Sequence, residues 1–142
     1  MVNEKELQEK MLIYRTLESR LEALTRQRDL VSSKIVEIIS TISSIDEISK
    51  NQKDILFKLG SEAFTYGNVA DKNKILVEIG AGIVLENPPE DGKEILNKRK
   101  QEMESVLKEI QNNISQISSA MNQLGPEINQ LIQKSQEQTP TG

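Results

Sequence analysis

A sevenfold apolar repeat occupies both long ends of this chain and limits what it can fold into more than any other feature. Stepping alternately three and four residues from Leu7 visits Leu7, Lys10, Tyr14, Leu17, Leu21, Leu24, Arg28, Val31, Ile35, Ile38, Ile42 and Ile45, and ten of these twelve are apolar. The mean step of 3.5 keeps one seam of an α-helix facing a supercoiled partner. Lys10 and Arg28 interrupt the seam. A charged group there commonly lays its apolar stem along the seam and turns its head to water, with register fixing as the lesser role. The C-terminal stretch repeats the pattern: Leu96, Met103, Ile110, Ile117, Leu124 and Leu131 form one series, and Lys100, Leu107, Ile114, Met121 and Ile128 the other. Its start is marked by Asn87 as a cap, Pro88 and Pro89 in a first turn that needs no amide donors, and Glu90 and Asp91 at the positive end of the helix dipole.

A helix of a little over forty residues, roughly 60 to 70 Å long at about 1.5 Å per residue, has nothing to bury a single seam against except another helix. Folding the chain back satisfies both seams in one antiparallel register, with Leu7 opposite Leu131, Tyr14 opposite Leu124, Leu21 opposite Ile117, Ile35 opposite Met103 and Ile42 opposite Leu96. Both chain ends then lie at one tip and the middle of the sequence at the other. Composition agrees with a thin core, since aromatic residues make up 3% of the 142 and the mean hydropathy is -0.48.

The middle segment changes period. Ile55, Phe57 and Leu59 alternate with Leu56 and Lys58, Gly60-Ser61 turns the chain, and Phe64 and Tyr66 alternate with Thr65. After a polar linker at residues 70–74, Ile75, Val77 and Ile79 share a face; beyond Gly80-Ala81-Gly82, Ile83 and Leu85 share a face while Val84 and Glu86 take the other. This reads as two hairpins. Isolated hairpins expose an apolar face and unpaired edges, and a pair of helices running away from them is not expected to cover them. The economical solution is for hairpins of several chains to pair in a shared sheet or barrel, which makes an obligate oligomer the expected state.

The order of long helix, two hairpins and long antiparallel helix, with LGSEAFTYGNV at 59–69 and VEIGAGIVLEN at 77–87, resembles the prefoldin family of co-chaperones, and in particular its α-type subunits, over nearly the whole chain. The most specific matches are Leu59-Gly60-Ser61, Val77, Ile79-Gly80-Ala81-Gly82, Val84 and Glu86. The resemblance implies a fold that is mainly α with small β: a long antiparallel two-helix coiled coil whose helices are joined by two β-hairpins that oligomerise into a β-barrel platform. It makes residues 1–142 a single domain with a first helix at about 5–49, hairpins at 50–88 and a second helix at 89–132, while residues 133–142 (QKSQEQTPTG) have the composition of a disordered tail. It further implies assembly with β-type subunits into a hexamer of two α and four β, holding of unfolded polypeptides at the coiled-coil tips, delivery to a group II chaperonin, and no use of nucleotide or other cofactor. The hairpin residues expected to serve assembly are Ile55, Phe57, Phe64, Tyr66, Val77, Ile79, Gly80, Gly82, Ile83 and Leu85. Glu62 in the first turn and Ile83 after Gly82 depart from the family pattern.

At the tip, Met11, Leu12 and Ile13 widen the seam beyond what one partner helix needs, and so do Leu131 and Ile132. Adaptable apolar surface of that kind suits weak, sequence-tolerant capture of unfolded chain. The expected capture surface is Leu7, Met11, Leu12, Ile13, Leu124, Ile128, Leu131 and Ile132, of which the seam residues Leu7, Leu124 and Leu131 serve mainly the coiled coil. Gly125-Pro126 should kink or restart the second helix.

Other chemistry is excluded or weak. The chain has no His and no Cys, and its net charge of -4 comes from interleaved signs, which argues against a nucleic-acid partner. No apolar run is long enough to span a bilayer, so a cytoplasmic protein with no membrane association is expected. Gly80-Ala81-Gly82 lacks the lysine and helix start of a phosphate loop. Asp46-Glu47 and Glu90-Asp91 read as solvated helix ends in preference to a cation site, the serines at 40–49 and 115–119 have no neighbouring base, and no enzyme site is found. The rival readings are a scaffold coiled coil that uses its hairpins only to associate and, less well matched, a transcription-cleavage-like factor, whose working acidic loop would have to stand where these hairpins are.

Overall fold

The computed structural model describes residues 4–50 and 53–137. In chain order the elements are α1 (Glu4–Lys50), β1 (Ile55–Gly60), β2 (Ala63–Gly67), β3 (Ile75–Gly80), β4 (Ile83–Asn87) and α2 (Pro89–Glu137). All twelve seam positions of α1 and all eleven of α2 are buried or half-buried, whereas Leu12, Leu30, Val36 and Ile39 on the flanks of α1 are at least 50% exposed. The repeat therefore does select the covered stripe. Among the described residues no side chain falls below 2% exposure, as expected of a core one side chain thick.

The chain forms two compact units. The first comprises Met1–Ser33 and Ser105–Gly142. Its most covered residues are Ile110 and Ile117, at 7% and 8% exposure, and Lys10 of α1 meets Glu127 of α2 at 3.0 Å. The second unit is Lys34–Glu104. Ile38, Ile45 and Leu96 form its core, with Ile42, Ile75 and Met103 packed against them, and Asp46 is paired with Lys93 at 2.5 Å. Each of these cross-helix ion pairs sits one residue from the expected register, on opposite sides of it.

The helix boundaries differ from expectation in three places. Asn87 does not cap α2: its side-chain amide donates to the Leu85 carbonyl, and the first helical bond runs from the Gly92 N–H to the Pro88 carbonyl at 3.0 Å. Pro88 thus holds the cap position and Pro89 the first helical one, where its missing donor costs nothing. The helix then continues through Gly125 and Pro126 with no restart, the loss of one ladder bond being outweighed by seam contacts on either side. It also runs on to Glu137, so the tail expected from residue 133 is helical at 133–137: Gln133, Lys134 and Glu137 are good helix formers, and Lys134 complements the negative end of the dipole. The rest of that expected tail, residues 138–142, lies outside the described residues.

The four strands form two separate antiparallel hairpins, β1–β2 and β3–β4. Their ladders coincide on a shift of twenty positions: Ile55 opposite Gly67 becomes Ile75 opposite Asn87, and Phe57 opposite Thr65 becomes Val77 opposite Leu85. Both ladders slip by one residue just before the turn. In the second turn Gly80, Ala81 and Gly82 have φ of 127°, 50° and 75°, which is why glycine flanks the alanine. In the first, Glu62 adopts φ 60° with a full side chain, so the departure noted in the sequence carries local strain.

Support for the two hairpins differs. No residue of β1 or β2 is buried. On β3, Val77 is only 6% exposed, and Ile75 packs on the helical core. The helix can approach because residue 92 is glycine: a Cβ there would overlap the Ile75 side chain and sit 3.4 Å from Val77 Cγ2. About two helical turns further on, Arg99 Nη2 donates to the Glu78 carbonyl. The expectation that helices cannot cover a hairpin face is therefore corrected for the second hairpin, and Val77 is not available to another chain.

Candidate functional site

Two apolar surfaces stand out, one in each unit. In the first unit, Leu12 is 66% and Ile13 52% exposed, because an α-helix with one partner has one seam and these residues fall between the seam positions Lys10 and Tyr14 and outside that stripe. Of the other residues expected here, Leu7, Met11, Leu124, Ile128, Leu131 and Ile132 are half-buried. Tyr14, Arg15, Glu18, Gly125 and Asn129 were not among the expected surface residues, yet with Met11 and Ile128 they line a groove of about 350 Å³ between the two helices. The available signal was the glycine in an otherwise regular repeat: a Cβ at Gly125 would meet nothing within 4 Å.

Lys10 does more at the seam than turn its head to water. Its ammonium lies 3.0 Å from Glu127 and 3.4 Å from Glu6, and hydrogen bonding to Glu127 is the main reason its pKa stands above the usual lysine value; desolvation opposes this, and the bond to Glu6 adds to it. The pair joins α1 to α2.

In the second unit the hairpins present Leu56, Phe64 and Tyr66 at 57%, 58% and 75% exposure on one face of β1–β2, with Phe57 on the other lying over Gly67. Ile79, Ile83 and Leu85 of β3–β4 remain 44–55% exposed beyond the docked Val77. Ile55 is half-buried, and Gly80 and Gly82 are in the turn.

Two of these acidic groups have a protein partner. Asp46 and Glu90 share Lys93 at 2.5 and 2.9 Å; the hydrogen bond from Lys93 is the main reason the Asp46 carboxyl titrates below its usual range, and the bond to Asp46 likewise raises Lys93. The serine-rich stretch of α1 also has a structural use, since Thr41, Ser44 and Ser49 donate to carbonyls one turn back, at Glu37, Ser40 and Ile45. The two surfaces therefore offer apolar contact: strand edges and faces in one unit, a groove and exposed aliphatic residues in the other.

Comparison with known proteins bears on both surfaces. A family model described as "Prefoldin subunit" matches residues 17–134. The protein named prefoldin subunit alpha in Methanococcoides burtonii is 29% identical over 104 residues, covering 72% of this chain and 75% of that protein. Its namesake in Pyrococcus horikoshii is 24% identical, covering 80% of this chain and 78% of that one, and the one in Methanocorpusculum labreanum is 32% identical over 67% and 66%. Among solved structures, the cryo-EM structure of filamentous PFD from Methanocaldococcus jannaschii matches with a TM-score of 0.68 over 80% of this chain and 95% of that one; at 16% identity this likeness concerns the fold.

Proposed function

Because the chain belongs to the prefoldin family, whose members are chaperone co-factors and not enzymes, we propose that it is an α-type subunit that holds unfolded polypeptide at its helix ends and hands it to a group II chaperonin without nucleotide. Assembly uses the hairpins: β1–β2, and the uncovered part of β3–β4, join β-type subunits in a hexamer of two α and four β. The observation that carries this reading is the exposure of large apolar residues on hairpins whose backbone edges are also unpaired, Tyr66 at 75%, Leu76 at 70% and Leu59 at 69%, a surface that water alone does not stabilise. Exposed Leu12 and Ile13 beside adaptable Met11 support the holding role.

Co-expression with β-type subunits, followed by mass measurement, tests the assembly; a homodimer indifferent to such partners would favour the scaffold reading. Replacing Met11, Leu12, Ile13 and Ile132 with serine tests holding. Suppression of client aggregation should fall several-fold while the mass of the complex is unchanged, and undiminished suppression would sink the helix-end assignment.

A further inference from the structure

Asp91-Gly92 is the one place in the 142 residues where an aspartate or an asparagine precedes a glycine. Such a bond is chemically labile, because a glycine has no side chain to hinder ring closure between its nitrogen and the neighbouring carboxyl. Packing nevertheless demands the glycine, since a Cβ at residue 92 would overlap the Ile75 side chain. The fold therefore cannot shed the labile bond.

The same turn restrains the reaction. The Gly92 N–H donates to the Pro88 carbonyl at 3.0 Å, and Gly92 is buried against Ile75 and Val77 while Asp91 is exposed. Ring closure requires that hydrogen bond to break and Asp91 to leave its helical ψ. Pro88 and Pro89 supply no donors, and the first turn of a helix is its least internally bonded part. What holds the turn shut is β3, through Ile75, Val77 and the bond from Arg99 to the Glu78 carbonyl.

We propose that Asp91 is a site of spontaneous isomerisation whose rate is set by the docking of β3 on α2 and whose product undoes that docking. When the turn opens, the Gly92 nitrogen bonds to Asp91 Cγ and gives up its proton, and one carboxyl oxygen leaves as water, closing a succinimide ring. A water molecule then adds to either ring carbonyl. Addition at the side-chain carbonyl breaks the new bond and restores aspartate. Addition at the main-chain carbonyl breaks the original peptide bond and leaves the chain running through Cβ and Cγ, an isoaspartyl link of unchanged mass and oxidation state. That link places one extra carbon in the main chain directly before Gly92. The glycine is displaced from Ile75, the hydrogen-bonded ring to Pro88 no longer closes in α-helical geometry, and β3 loses its cover. Hairpin β1–β2 contains no such bond, so the slow change is confined to the second hairpin. The inference does not depend on what the hairpins assemble with.

The test uses the full chain aged near neutral pH. Isoaspartate is counted by methylation with an isoaspartyl methyltransferase and placed by fragmenting the peptide that holds residues 91 and 92. Label should accumulate at residue 91, well below the rate of the same chain unfolded in urea. Arg99→Met should speed it about fivefold, the loosening expected from the loss of one such hydrogen bond, and Val77→Ala should act in the same direction. Asp91→Glu, whose ring would be one atom larger, should gain no label there. In aged chain separated from the unaltered form, hydrogen-exchange protection of β3–β4 amides should fall to that of β1–β2. Labelling of the folded chain as fast as of the unfolded one would overturn the gate, as would an unchanged rate in variants whose β3 amides exchange faster. Retained β3–β4 protection in the isoaspartyl chain would overturn its effect on docking, and label confined to other residues would remove the site.

Discussion

The two hairpins share one ladder and one turn position, yet β3–β4 is held by its own chain and β1–β2 is not. The difference lies in the segment next to each. After β2 comes the connector of residues 68–74; after β4 comes the first turn of α2, which reaches β3 through Gly92 and grips its backbone through Arg99. Hairpin geometry is thus local, and whether a hairpin face is covered is decided by residues outside it.

The largest test of this contrast is Gly92→Leu. Overpacking against Ile75 and Val77 should cost about 3 kcal/mol of docking, and hydrogen-exchange protection of β3–β4 amides should fall to the level of β1–β2. If β3–β4 keeps its protection, the helix is not what holds it. Next in size is Val77→Ala, expected to destabilise the second unit by about 2 kcal/mol in thermal or denaturant unfolding, because the side chain is 6% exposed. The equivalent Phe57→Ala in β1 should change the isolated chain by under about 0.5 kcal/mol, since Phe57 is 39% exposed and its loss opens no cavity. Equal effects would erase the distinction. Arg99→Met, which keeps the stem and removes the donor, should loosen β3 by about 1 kcal/mol, seen as faster exchange in β3 with β1 unaffected. In the opposite direction, Glu62→Gly should stabilise β1–β2 by about 0.5 kcal/mol, since relief at φ 60° is partly offset by the freedom glycine has when unfolded.

The smallest effect concerns pH. The depressed Asp46 contributes stability that is present above the usual carboxylate value and lost as pH falls through its lowered one; the raised Lys93 contributes below the usual lysine value and loses it as pH rises through its raised one. The difference in melting temperature between the chain and its Asp46→Asn variant should therefore be flat from about pH 5 to 9 and shrink below about pH 4. β3 docking, made of apolar contacts and an arginine, should not track it.

Much of this architecture was legible from periodicity alone. The heptads identified the covered stripe of both helices, because in a two-helix pairing nothing else competes for an apolar side chain. The hairpins were legible because alternation and paired glycines carry the same message. The docking of β3 was not, since a glycine four positions into a helix reads as a local weakness until Ile75 is placed beside it. Asn87 misled for a similar reason: it is a good capping residue one position too early, and proline after proline moved the start. At the helix ends, the width of the stripe revealed Leu12 and Ile13, but the groove depends on a side chain that is absent, at Gly125, and an absence has no hydropathy.

The coincidence of the ladders at Ile55 and Ile75, and at Gly67 and Asn87, twenty positions apart, also makes the segment modular. Removing any twenty consecutive residues that begin within β1 or β2 joins one hairpin to the other in phase, with every remaining side chain on its original face. The turn region can thus be shortened to a single hairpin, or lengthened by another, without altering the point at which α2 begins.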